Sequence, residues 1–217
     1  MEIGIIGGTG PAGRGLATRL GAAGVEVVIG SRDPSKAGLV ARELCERWQG
    51  RGMRISGADN EGAASAHDLV VVATPWESAR STAISLSGFL ENKIVVSMVN
   101  ALVKEGKEML GVFLPRGSVA GTLQWSLPTS MVVAAFNHLP AADMLDLDSG
   151  LKSDVLVCSD HPLATSSVVD LVDKMDGLRG IDAGTLNQAG AIEAFTAVCI
   201  TLNMRHRAHC TLGLNGI

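Results

Sequence analysis

Short apolar runs recur along the chain with helix-length spacers between them. Strands are predicted at residues 3–7, 25–29, 53–56, 69–73, 94–97, 131–136, 155–158 and 178–181. Helices are predicted at residues 15–23, 34–48, 75–90, 117–127 and 162–175, with a last apolar, helix-like stretch from 186 to 204. Runs such as Leu69-Val70-Val71-Val72 are continuously apolar rather than alternating, the pattern of a parallel sheet covered on both faces. Strand, helix, strand in repetition predicts a Rossmann-type α/β fold: a doubly wound, mostly parallel sheet, here with a small C-terminal α/β annex.

The first boundary carries the most chemistry. The apolar strand from Ile3 runs into Gly8-Thr9-Gly10-Pro11-Ala12-Gly13, a Gly-x-Gly-x-x-Gly segment, and a helix pattern follows at once. In that context the three glycines have separate tasks. Gly8 permits the turn, Gly10 lets a pyrophosphate approach the backbone, and Gly13 lets helix and strand pack closely. The free N–H groups and positive dipole end of the helix then face the phosphates. Residues 1–150 are therefore expected to be a dinucleotide-binding domain. Residues 151–217 form the annex, completing the second substrate's pocket and packed as one unit with the first.

The end of the second strand selects the dinucleotide. A site for NAD places Asp or Glu there, about 20 residues beyond the fingerprint. This chain has Gly30-Ser31-Arg32-Asp33-Pro34-Ser35-Lys36. A hydroxyl at Ser31 with cations at Arg32 and Lys36 suits a 2′-phosphate, and the planar guanidinium matches phosphate oxygens. Asp33 is expected to cap the following helix, with Pro34 in its first turn. The expected cofactor is NADP(H).

Composition removes several classes. Aromatic residues are 3%, with no tyrosine, and the net charge is −4, so neither a stacking platform nor a basic footprint points to nucleic acid. No apolar run reaches the ~18 residues of a membrane span, and Glu2 stands where a signal peptide places cations. Cys45, Cys158, Cys199 and Cys210 show no paired spacing and read as free thiols of a reducing, cytoplasmic compartment. His206, His209 and Cys210 do not form a recognised ligand set, and no metal is expected.

The second substrate is expected beyond the carboxyl ends of the strands. Thr74-Pro75 ends the fourth strand and also reads as a helix cap. The fifth ends near Met98 and Asn100, the sixth near Asn137 and His138. His138 is the one acid/base candidate, and it reads equally as a loop histidine satisfying backbone. A rim this poor in catalytic groups suits hydride transfer between two bound cofactors, where alignment and exclusion of water matter most.

At this point the residues resemble a family. Gly7-Gly8-Thr9-Gly10, Gly30-Ser31-Arg32 with Lys36, Thr74-Pro75-Trp76-Glu77, Lys93-Ile94-Val95-Val96-Ser97 and Asp176-Gly177-Leu178-Arg179 with Asp182-Ala183-Gly184 are similar to those of NADPH-dependent F420 reductases, or F420H2:NADP oxidoreductases. Val132 through Phe136 and Leu212-Gly213 fit the same pattern. The resemblance implies reversible hydride transfer between NADPH and the deazaflavin coenzyme F420, by a homodimer. It places Thr9, Gly10, Pro11 and Ala12 on the pyrophosphate, Ser31, Arg32 and Lys36 on the 2′-phosphate, and Thr74 with Pro75 along the nicotinamide half. It places Met98 and Leu212 beside the deazaflavin, and the ring is expected to lie near Asn137 and His138 as well. The chain departs from the family at Asn137, where members commonly carry His, and in the variable stretch 101–115. A reductase of the same fold acting on a flavin, quinone or small carbonyl compound, and a non-catalytic NADP sensor, share the same N-terminal half.

Overall fold

The computed structural model describes all residues, 1–217. The β-strands are β1 (Glu2–Ile6), β2 (Glu26–Ser31), β3 (Arg54–Asp59), β4 (Leu69–Val72), β5 (Ile94–Ser97), β6 (Leu102–Glu105), β7 (Glu108–Gly111), β8 (Met131–Ala134), β9 (Ser153–Ser159) and β10 (Leu178–Asp182). The α-helices are α1 (Pro11–Ala22), α2 (Pro34–Arg47), α3 (Asn60–Ala64), α4 (Trp76–Ser85), α5 (Ser87–Leu90), α6 (Val119–Ser126), α7 (Ala141–Leu145), α8 (Pro162–Asp173) and α9 (Ala189–His206). No helix is long and apolar enough to cross a membrane.

Eight strands form one sheet in the order β10-β9-β8-β5-β4-β1-β2-β3. The six from β3 to β8 are parallel; β9 runs antiparallel to β8, and β10 is parallel to β9. Chain order reverses direction between β1 and β4, which is the switch point of a doubly wound sheet. Successive side chains of one strand feed two cores. Leu69 and Val71 pack with Leu16, Leu20, Val40 and Val168 on one face, while Val70 and Val72 pack with Ala79, Ala83, Leu123 and Ile192 on the other. This two-sided burial is what the unbroken apolar runs encode, at about 1.5–3 kcal/mol for each fully buried Val, Leu or Ile.

Several elements differ from expectation, among them the short α7, which falls where no element was predicted. The helix foreseen over 75–90 is broken at Leu86, where serine hydroxyls of Ser78, Ser81 and Ser85 bond back to preceding carbonyls and compete with the helix ladder. The stretch 101–115 contains the β6–β7 hairpin, whose turn has Gly106 at φ 58° in its first central position, as a type II′ turn requires. The short α3 is capped by the Asp59 carboxylate, which accepts from Gly62 N–H at 2.7 Å.

Helices α6 and α9 meet around a buried acid. Glu193 on α9, 4% exposed, accepts from the Val119 and Ala120 N–H groups at the start of α6, at 2.9 and 3.1 Å. Burial pushes its carboxyl up to about 7 from an ordinary 4.5, although both hydrogen bonds favour the anion. The folded state thus holds a proton that the unfolded chain has already released. Stability falls as pH rises from the ordinary carboxylate range through about 7, by roughly 3 kcal/mol in total. Thermal midpoints measured between about pH 5 and pH 8 should drop by several degrees, and Glu193→Gln should flatten that slope. An unchanged slope in the variant would place the titration elsewhere.

Candidate functional site

A cleft of about 590 Å³ opens at the switch point, where the chain leaves β1 for α1 and β4 for α4. Three turns line it. Thr9, Gly10, Pro11 and Ala12 come from the first and the start of α1, Ser31, Arg32 and Lys36 from the end of β2, the turn after it and the first turn of α2, and Thr74 and Pro75 from the turn after β4.

The first turn differs in detail from its sequence reading. The left-handed residue is Gly7, at φ 71°, not Gly8. A Cβ on Gly7 would stand 2.7 Å from the Thr74 side chain, so the residue is fixed by both conformation and space. Asn60 Oδ1 accepts the Gly7 N–H at 3.1 Å, and Gly8 N–H donates to Ile5 and Gly30 carbonyls, pinning the turn between β1 and β2. Gly13 packs α1 onto that turn: its Cβ would lie 2.6 Å from Gly8 Cα. Gly8 and Gly13 therefore stand behind the cleft and support it, while Gly10 faces it.

Several groups in the cleft are without partners inside the protein. Gly10 is the N-cap of α1 and supplies no side-chain cap, so the first-turn N–H groups point outward unsatisfied. Thr74 was expected to double as the cap of the next helix. Instead Pro75 takes the N-cap position of α4, and the Thr74 hydroxyl is buried with no hydrogen-bond partner. A buried orphan hydroxyl on a cleft wall calls for a polar ligand atom. Arg32 and Lys36 are exposed and form no ion pair. Asp33, between them, is turned into α2, accepting from Ser35 and Lys36 N–H at 2.9 and 3.3 Å. Its charge is committed to the helix start, and Ser31 Oγ accepts the Asp33 N–H at 3.2 Å. The cleft thus offers anion-binding N–H groups at one end and a hydroxyl with two cations at the other, the donor set of a dinucleotide with a phosphorylated ribose. Asn60, Ser78 and Thr82 also line it. Sequence reading missed them, because none belongs to a motif and Asn60 arrives on the unforeseen α3.

A smaller cavity of about 290 Å³ adjoins the first across Ala12, Thr74 and Pro75 and continues to Trp76, Met98, Val99, Asn100 and Leu102. Met98 is therefore placed beside the dinucleotide cleft. Asn137, His138 and Leu212 do not line either space. Asn137, 4% exposed, donates through Nδ2 to Val99 O and Asn100 Oδ1, while Asn100 Nδ2 donates to Asn137 O at 2.8 Å. Thr196 Oγ1 on α9 joins the same network. Just before it, Phe136 holds φ 64°, a conformation that costs a non-glycine residue on the order of 1–3 kcal/mol and that its burial maintains.

His138, 3% exposed, sits behind the rim with Nε2 2.8 Å from the Asp154 carbonyl. Burial lowers its pKa, so the ring is neutral and Nε2–H donates to that carbonyl. This is the loop-satisfying arrangement, not a proton relay on the cleft wall. Leu212 N–H donates to Ser153 Oγ and its carbonyl accepts from Asp154 N–H, tying the tail to the start of β9. The Asp154 carboxylate, buried, pairs with Arg179 at 2.7 Å and accepts Leu214 N–H. His209 Nδ1 is 2.5 Å from Asp143 Oδ1, a contact across 66 residues that local spacing conceals.

Comparisons with known proteins agree with this geometry. Residues 2–101 match the family described as NADP oxidoreductase coenzyme F420-dependent. An F420-dependent NADP reductase of Methanocaldococcus jannaschii is 39% identical, covering 97% of this chain and 96% of the relative. One from Methanothermobacter thermautotrophicus is 35% identical, covering 95% and 91%. A crystal structure from Arthrobacter, solved as a candidate F420-dependent NADP reductase, superimposes with a TM-score of 0.83 at 26% identity, over 100% of both chains. The chain belongs to the F420-dependent NADP reductase family of oxidoreductases.

Proposed function

We propose that this protein transfers a hydride reversibly between NADPH and coenzyme F420, with the dinucleotide in the larger cleft and the deazaflavin ring at its Met98 side. The observation that carries the reading is the cleft's division. Unpartnered phosphate donors lie in the first turn of α1 from Ala12 onward and at Arg32 and Lys36, and a wall with almost no titratable groups runs from Thr74 to Leu102. The two redox rings supply the chemistry themselves. Arg32 and Lys36 hold the 2′-phosphate, and the start of α1 holds the pyrophosphate. The Thr74 hydroxyl satisfies its orphan bond on the nicotinamide half. Met98, Val99 and Leu102 exclude water from the meeting point. Residues 151–217 complete the acceptor side through α9, whose Thr196 braces Asn100 and Asn137.

Four free cysteines accord with work in the cytoplasm. Phe195, Val198 and Leu202 are exposed on α9 and Val103 and Leu110 on the β6–β7 hairpin packed against it, and these uncovered apolar side chains support a homodimer. Mixing the protein with NADPH and F420 is expected to bleach the deazaflavin absorbance. No bleaching, together with rapid reduction of a flavin, quinone or carbonyl compound, would reject F420 as the acceptor. Sedimentation as a monomer at micromolar concentration would reject the dimer.

A further inference from the structure

A cationic aromatic stack stands one helical turn from the acceptor cavity. The indole of Trp125 on α6, 56% exposed, has two guanidinium groups against it: Arg116 at 4.7 Å from the ring centroid and Arg80 of α4 at 5.3 Å. Arg80 Nε also donates to Ser126 Oγ at 3.1 Å, which fixes its head over the ring. Neither arginine forms an ion pair, in a protein whose net charge is −4. Two guanidinium groups thus share one indole, and apart from the Arg80 bond to Ser126 their donors have no partner in the protein. Two like charges held around one ring repel each other, and an anion between or beside them relieves that cost.

The position of the stack says which anion. Trp76 lines the acceptor cavity, and Arg80 follows it by four residues on α4, so the two side chains share one helix face with neighbouring Cβ atoms about 6 Å apart. The stack therefore begins one turn along α4 from the cavity wall. Glu77, at the cavity mouth, faces the dinucleotide cleft as well and repels anions toward the Arg80 side. We propose that Arg80, Trp125 and Arg116 form the docking surface for the anionic side chain of the deazaflavin substrate, the phosphodiester and glutamyl carboxylates that trail from the ring. This rests on the deazaflavin reading of the cavity. It adds a selectivity for the tail that the ring pocket cannot provide.

Calorimetry in the presence of NADP⁺ tests it, comparing F420 with the tail-less 8-hydroxy-5-deazariboflavin. Wild-type protein should bind F420 at least tenfold more tightly at low ionic strength, with the advantage shrinking as salt screens it. Arg80→Gln and Arg116→Gln keep a planar head for stacking and lose the charge. Each should weaken F420 by roughly tenfold and leave the tail-less ring and the melting temperature unchanged. Equal weakening of both ligands would overturn the proposal in favour of a structural role for the stack. F420 affinity unchanged in the double variant would overturn it outright. Failure of wild type to bind even the tail-less ring would overturn the deazaflavin reading, and the tail site with it.

Discussion

Arg32→Ala is expected to weaken NADPH binding by about 1.5–3 kcal/mol while leaving NADH within a factor of about two. The size follows from what surrounds the residue. Arg32 has no ion pair to lose and stands exposed at the cleft, so the substitution disturbs no packing. The lost interaction is the charge-assisted bond to a 2′-phosphate, which NADH lacks. Lys36 lies one turn into α2 on the same wall, and its substitution by Ala should give a smaller loss of the same selectivity, because an ammonium offers a point charge without the guanidinium's paired donors. Titration calorimetry with the two dinucleotides reads the difference directly. Equal losses for NADPH and NADH would show that Arg32 contacts something common to both, and the 2′-phosphate would have to lie elsewhere.

Gly10→Val and Gly13→Val should fail in opposite ways. A Cβ at Gly10 meets nothing nearer than Gly7 O at 3.9 Å, and the backbone there, at φ −76° and ψ 167°, is extended and open to any residue. The fold should tolerate valine, with a melting temperature within a few degrees of wild type. The new methyls would fill the space through which phosphates reach the first-turn N–H groups, so dinucleotide affinity should fall at least a hundredfold, about 3 kcal/mol. At Gly13 the added atom would stand 2.6–2.9 Å from Gly8 backbone, inside the packed layer between α1 and the turn. There the cost falls on stability, as overpacking of about 1–3 kcal/mol or more, and binding is lost because the turn moves. Circular dichroism melts paired with a binding isotherm separate the two. A Gly10→Val protein that binds NADPH normally would remove the pyrophosphate from this helix end.

The parallel sheet was legible because its strands are buried on both faces. Each apolar run in the sequence became a strand, and none was misassigned to a helix. The dinucleotide wall was legible for a related reason: Gly8 to Gly13, Ser31, Arg32 and Lys36 lie in two short turns whose chemistry is local. What stayed hidden depends on contacts between distant residues. Asn60 reaches Gly7 across 53 positions, His209 meets Asp143 across 66, and His138 is turned toward Asp154 by the return of β9. Thr74 shows the limit most clearly. Its neighbour Pro75 suggested a cap, and only the structure reveals that the helix begins one residue later and leaves the hydroxyl unused. The hairpin over 102–111 could have been found from Gly106-Lys107 between apolar positions; its charged turn concealed a short strand pair behind a polar composition.

The reversal of β9 has a consequence for how this molecule can diversify. Six parallel strands present their carboxyl ends on one edge of the sheet, and because β9 runs the other way, its first residues, Ser153 and Asp154, arrive on that same edge. They carry the terminal segment around Leu212 and Leu214 with them. The earliest and latest parts of the polypeptide are thereby brought to one rim from opposite flanks. The terminal segment is held by Ser153 and Asp154 and the glycine turn by Asn60 and Gly30, so the two ends of the polypeptide are anchored by separate contacts and substitutions in one are expected to leave the other in place.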